Sequence, residues 1–316
     1  LGTPSDAIIG LPYISTVTLT DRYYNPKSDL TPQIQMITSD PYDVDPATLT
    51  VNGPTPFAIQ FRKSPGPWTV AVSTTPSYAG QVLISTVSDP VLVHPGFPTR
   101  FQVLLPGETA DAGRSPYDSG QVGGKTGKPD GDLVAPGIQA FTAGSQFNVT
   151  VNLVDDYFNR AESANTFVQL DANDPFARTG VQALGSLQTG SAPWPTGQAV
   201  FSNVILITRN PSGWQITAST STGDPFATGY STAVVVQAAA PQKLLVLAPG
   251  ELSQEGNTSG GGKQKTTTDS NYPATPGVQD AFTVGTTYFV EVRSVDAYYN
   301  IVTTTNPVIT LASDDS

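Results

Sequence analysis

Cysteine is absent from this 316-residue chain, so disulfides, thiol nucleophiles and thiolate-held metals are excluded together. Histidine occurs once, as His94 in the Pro-rich stretch VLVHPGFP, and is read as an incidental linker residue, since any serine triad or histidine metal site would have to be built around it. Gly-x-Ser-x-Gly elbows and phosphate-cradling loops are also missing, and with them the usual enzyme signatures. Only 13% of residues are charged and they sum to −11, a balance that argues against nucleic acid and anionic membranes, whose phosphates call for Lys and Arg clusters. No apolar run approaches the roughly 20 residues that cross a bilayer, and Leu1 begins no secretory signal, so any signal or anchor is expected outside these residues.

What the chain does hold is 29 Gly, 28 Pro and abundant Thr, Ser and Val, a composition of short strands and turns with very little helix. It also repeats itself. FQVLLPGE from Phe101 returns as LLVLAPGE from Leu244, 143 residues later, and each copy leads into a Gly, Ser, Lys and Thr-rich tract. The turn LVDDYFNR from Leu153 has relatives in LTDRYYNP from Leu19 and SVDAYYNI from Ser294, each with Asp, an aromatic two residues on and Asn four residues on. GPWTVAVSTT around Trp68 matches SGWQITASTS around Trp214, and QVLISTV from Gln81 is paired with AVVVQA from Ala233 as the closing strand.

Within a repeat the apolar residues alternate. Phe147, Val149, Val151 and Leu153 point one way and Asn148, Thr150 and Asn152 the other, the period of a strand with one buried face. Six to eight such strands per repeat, separated by Pro, Gly and Asn turns, call for two packed antiparallel sheets, an all-β sandwich. The pattern AGSQFNVTVNLVDDYFN resembles the bacterial immunoglobulin-like repeats of secreted and surface proteins, the invasin and intimin type included. That resemblance covers nearly the whole chain, and it implies tandem immunoglobulin-like domains in a rod on a cell surface, with no activity of their own.

The repeats place domain boundaries at 1–98, lacking its first strand, at 99–241, complete with a Gly/Lys-rich insertion at 109–135, and at 242–316, partial with an insertion at 252–275. A half-sandwich leaves an unpaired edge and an open core, so the chain is expected to continue beyond Ser316, or to be completed by another chain through strand exchange. The insertions, which carry Lys125, Lys128, Lys263 and Lys265, read either as solvated loops or as segments packed against a neighbouring acidic domain.

Asp155 and Asn159, joined by Asp174 if the next strand turns back, are candidate calcium ligands because carboxylate and amide oxygens are hard donors; Asp156, Asp171 and Asn173 stand nearby. The competing reading is turn chemistry, in which Asp and Asn bond their own backbone, and it is favoured because Asp156 becomes Arg22 and Ala297 in the other copies. Trp68 and Trp214 are read as core residues, and Trp194 in SAPWPTG as the candidate for surface recognition. Asn148 and Asn257 begin Asn-x-Thr/Ser sequons. Gram-positive pilins of similar fold often carry Lys–Asn isopeptide links, which are not expected here because lysines do not recur on strands apart from Lys243 opposite Arg100.

The resulting expectation is a non-catalytic repeat region of a secreted or surface-displayed bacterial protein, a stalk or the subunit of an extracellular filament or surface layer. Its partners would be copies of itself or neighbouring immunoglobulin-like domains, not nucleic acid, and calcium is the one candidate cofactor. The alternative is an adhesin or carbohydrate-binding accessory segment of a larger secreted protein.

Overall fold

The computed structural model describes residues 2–74, 83–131, 140–177, 186–190, 196–220, 223–265 and 283–314. Among them the chain is all-β, with no helix, and no helix is long and apolar enough to cross a membrane. Trp194 lies outside the described residues.

The first segment holds β1 (Ala7–Ile8), β2 (Tyr13–Val17), β3 (Gln33–Thr38), β4 (Leu49–Thr50), β5 (Thr55–Ile59), β6 (Val70–Thr74), β7 (Thr86–Val87) and β8 (Val93–His94). The second holds β9 (Arg100–Leu104), β10 (Glu108–Ala110), β11 (Lys125–Gly127), β12 (Phe141–Thr142), β13 (Gln146–Val154), β14 (Phe167–Ala172), β15 (Ser186–Gln188), β16 (Gln198–Ile205), β17 (Asn210–Trp214), β18 (Ile216–Thr220), β19 (Gly229–Tyr230) and β20 (Val234–Gln237). The third holds β21 (Lys243–Leu247), β22 (Glu251–Ser253), β23 (Lys263–Lys265) and β24 (Glu291–Val295).

In the second segment the antiparallel sheet β16-β13-β9 faces β15-β14-β18-β19, because the alternate residues of each point to a shared core. Phe101, Val103 and Leu105 from the β9 side meet Val149, Val151 and Leu153 of β13, with Val168, Leu170, Ile216 and Ala218 from the other sheet. Burying one such side chain is worth about 1.5–3 kcal/mol, so this cluster dominates the segment. The first segment repeats the plan with β2-β5 and β4-β3-β6-β7 around Met36, Phe57 and Ile59, but among the described residues β2 has β5 as its single neighbour. In the third, β21 pairs with β24 over a small cluster of Leu245, Leu247 and Val295, and Val308 and Leu311 stand in solvent.

Several expectations are corrected by these elements. The sheets are not wholly antiparallel: β1 runs parallel to β8 and β12 parallel to β20, the opening strand lying beside the closing one in the same direction. The first-segment counterpart of β20 is therefore β8, since β8 lies parallel to β1 as β20 does to β12; Val91 and Val93 are buried, whereas Ile84 and Val87, from the described part of QVLISTV, are exposed. The polar face of β13 is not solvent-facing at its far end. Asn152 is buried between Gln102 and Gln198, at 3.1 and 2.9 Å, and Gln102 in turn donates to the Gly124 carbonyl of the insertion at 2.7 Å.

That insertion is built structure over its described residues. β10 and β11 form a hairpin, and Glu108 and Lys125 meet at 3.1 Å with side chains only 1% and 3% exposed. Burial pushes the Lys125 ammonium below its ordinary value, against the pull of Glu108. β22 and β23 repeat the hairpin with Lys263 2.8 Å from Glu251. Lysines thus recur on strands at Lys125 and Lys263, where each pairs with the glutamate of the Pro-Gly-Glu turn. Gly124 carries φ +66° against Phe158, whose ring carbons would lie 2.1 Å from any added Cβ, and Gly262 crowds Tyr299 in the same way.

Candidate functional site at the segment junctions

The Asp-x-aromatic-x-Asn turn folds identically three times. Asp accepts the main-chain N–H groups two and four residues on, at 2.8 and 3.0 Å for Asp21, 2.8 and 2.9 Å for Asp155, and 2.8 and 2.9 Å for Asp296. The residue before Asn takes positive φ, 65° at Tyr24, 65° at Phe158 and 66° at Tyr299, which the carboxylate's fixed bonds impose on an aromatic that would otherwise avoid it. This is the turn chemistry that the sequence favoured, and in two of its three copies the turn goes on to bond the preceding segment.

At the first junction Gly96 donates its N–H to Asp155 at 2.8 Å, Ser64 donates its N–H to Asn159 Oδ1 at 2.6 Å, and Asn159 Nδ2 donates to the Arg62 carbonyl at 2.9 Å. The receiving loop is held by Asp40, which accepts the N–H groups of Arg62 and Lys63 at 2.7 and 2.9 Å, and by Trp68, whose indole N–H donates to the Lys63 carbonyl at 2.6 Å. At the second junction the same bonds recur: Ala239 to Asp296 at 2.9 Å, Arg209 to Asn300 at 2.7 Å, and Asn300 to the Ile207 carbonyl at 2.8 Å. Asp174 then plays the part of Asp40, at 2.8 and 3.0 Å from the Ile207 and Thr208 nitrogens, and Trp214 that of Trp68, at 2.6 Å from the Thr208 carbonyl.

The insertions brace the same junctions. Lys63 sits 3.0 Å from Asp111, which also accepts from the Tyr42 hydroxyl, and Arg209 makes a two-pronged pair with Glu255 at 2.8 and 2.8 Å. Arg62 lies over the rings of Tyr117 and Tyr157, 5.2 and 5.5 Å from their centroids. His94 is more than a linker residue: its nitrogens lie 3.2 Å from Asp6 and 3.3 Å from Glu162, across the first junction, and the Asp6 carboxylate first and Glu162 second hold its imidazole above the ordinary range.

The three calcium candidates have other partners. The oxygens of Asp155 face the N–H groups of Gly96, Tyr157 and Asn159, and burial pushes its carboxyl up while those donors pull it down. Asp174 serves the opposite end of the segment with Ile207, Thr208 and Phe176, so it does not join Asp155 and Asn159. These residues do not fit a calcium cage, and among the described residues no group of three or more His, Asp or Glu could hold a metal ion. Asp156 instead meets Arg100 at 3.0 Å, and Asn173 accepts the Gln215 N–H at 2.7 Å. Trp68 and Trp214 are half-buried at the rim of the core, where their indoles fix the loop carbonyls.

No protein-family model matches the chain, and no curated protein matches it. Among solved structures it is similar, at 10% identity and a TM-score of 0.22, to a calcium-stabilised adhesin that helps an Antarctic bacterium reach out and bind ice. The match covers 81% of this chain and 52% of that one, so the chain spans about half the length of the adhesin. The likeness is too loose to carry fold or function from one to the other.

Proposed function

We propose that the chain is a non-catalytic structural region of a secreted or surface-displayed bacterial protein, in which immunoglobulin-like units are stacked end to end as a stalk or as the subunit of an extracellular filament or surface layer. One observation carries this reading: the same three hydrogen bonds, from the same motif to the same loop and the same linker position, join the first segment to the second and the second to the third. A junction built from main-chain groups and two side chains repeats with any unit that keeps the motif, which is how a rod of arbitrary length is made. Buried Asp and Asn at each junction set a fixed orientation, because an unpaired buried polar group costs about 1–3 kcal/mol and a tilted junction would strand several.

Electron microscopy of the native material tests this reading. Regular fibres or lattices, or straight rods of constant width, are the expected result. Isolated, bent particles that bind glycans would overturn it in favour of an adhesin or carbohydrate-binding segment.

A further inference from the structure

The two Asn-x-Thr/Ser sequons, at Asn148 and Asn257, are held in opposite ways. Asn148 lies inside β13, where alternate residues share a face, so its side chain and that of Thr150 project together from the outer face of the β16-β13-β9 sheet while Val149 and Val151 fill the core. Both neighbouring strands stand back from it. β9 pairs with β13 only as far as Leu104 opposite Thr150, and the Leu105–Glu108 turn then leads the chain away. On the other side Phe147 faces Val204 and Val149 faces Phe201, so Ser202 and Asn203 form a bulge opposite Asn148, with Asn203 at φ 63°. Asn148 is exposed, and among the described residues its amide has no hydrogen-bond partner. Asn257 is half-buried and fully used. Its Nδ2 donates to Gln254 Oε1 at 2.7 Å and to the Lys263 carbonyl at 3.4 Å, and its Oδ1 accepts the Gly260 N–H at 2.7 Å and the hydroxyl of Ser259, its own sequon residue, at 3.0 Å. These bonds close the loop between β22 and β23, and the space there is so tight that a Cβ on Gly260 would sit 2.4 Å from Asn257 Nδ2.

We propose that Asn148 is an N-glycan acceptor and that Asn257 is not. The donor is an oligosaccharide carried on a lipid phosphate or diphosphate, and the acceptor pair is the Asn148 amide with the Thr150 hydroxyl two residues on. Asn148 Nδ2 bonds to C1 of the reducing-end sugar, the C1–O bond to the lipid phosphate breaks, its electron pair leaves with that phosphate, and the amide gives up one proton. The modified side chain gives up no bond that the described fold uses. At Asn257 the same reaction would force the loop apart, whether the sugar arrived before or after folding. A glycan on Asn148 covers the β16 bulge and the flank of the sheet at the end of β13 remote from the Asp155 turn, so the first junction stays clear.

This inference rests on the extracellular part of the stalk reading, yet it fails separately. The test is mass spectrometry of the native protein after trypsin, which releases residues 126–160 with the first sequon and 244–263 with the second. A sugar mass is expected on 126–160, placed on residue 148 by electron-transfer fragmentation, with 244–263 at its unmodified mass. Produced in the same host, Asn148→Gln and Thr150→Val should each abolish the added mass, while Asn257→Gln leaves it in place. Asn148→Gln removes no bond, so its urea midpoint should equal that of the deglycosylated parent, which keeps loss of sugar distinct from loss of fold. An unmodified residue 148, sugar that survives Thr150→Val, or sugar on Asn257 would each overturn the proposal. Bare protein in regular fibres or straight rods would end this inference and leave the stalk reading standing.

Discussion

Replacing the motif asparagine by alanine in each copy separates its two roles. Among the described residues the Asn25 side chain bonds Asp21 alone, in an exposed turn, so Asn25→Ala removes an exposed bond worth about 0.5 kcal/mol. Asn159→Ala leaves the Ser64 N–H and the Arg62 carbonyl without the partners they have at 2.6 and 2.9 Å, and strips two further bonds from the buried Asp155. At about 1–3 kcal/mol for each group left unpaired, the expected loss is about 3–4 kcal/mol at that junction, and Asn300→Ala should cost the same at the next. Urea unfolding followed by tryptophan fluorescence reads this directly, because Trp68 and Trp214 hold the carbonyls of Lys63 and Thr208, one residue before the affected N–H groups. Separate transitions should be fitted for separate segments. Equal losses for Asn25→Ala and Asn159→Ala, or a loss below about 1 kcal/mol for Asn159→Ala, would refute the assignment of these turns as junction bonds.

Lys125→Met leaves Glu108 buried without its cation, though still bonded by the Leu105 N–H and the Thr232 hydroxyl, and should cost about 3 kcal/mol by calorimetry, whereas Lys263→Met, at a pair whose lysine is 25% exposed, should cost less. His94 binds its proton more tightly in the folded chain than in the unfolded one, so its link between Asp6 and Glu162 contributes fully below about pH 6.5 and fades as the pH rises through its raised folded-state value. The first junction should therefore be more resistant to urea at pH 6 than at pH 8, and His94→Gln should remove that difference. Chelation or addition of calcium should leave every unfolding midpoint unchanged, since Asp155 is saturated with N–H donors and Asp174 stands at the other junction; a calcium-dependent rise abolished by Asp155→Asn would contradict this.

The strands and their core faces were legible because alternation of Val, Phe and Leu is a property of side chains, and the repeats exposed themselves through Trp68 and Trp214, the Pro-Gly-Glu turn and the Asp-x-aromatic-x-Asn motif. The turn was also legible. Its use between segments was not, because the groups it meets are the main-chain N–H and C=O of Gly96, Ser64 and Arg62, which any residue supplies and no side chain advertises. Glycines at 120–124 suggested looseness in the sequence, whereas Gly124 is required by the ring of Phe158 pressed against its Cα. Lys125 and Glu108, seventeen positions apart and unremarkable singly, become one buried pair only through the hairpin between β10 and β11. QVLISTV and VLVHP both alternate, and only the parallel register of β1 with β8 decides between them.

A chain without cysteine accepts site-specific spin labels cleanly, and the distance across the first junction is the most direct test of a fixed stack. With cysteines introduced at the exposed positions Thr16 and Ser202 and read by pulsed electron spin resonance, a single narrow distance is expected that broadens on Asn159→Ala. A distribution already broad in the parent chain, or one that Asn159→Ala leaves untouched, would contradict the account.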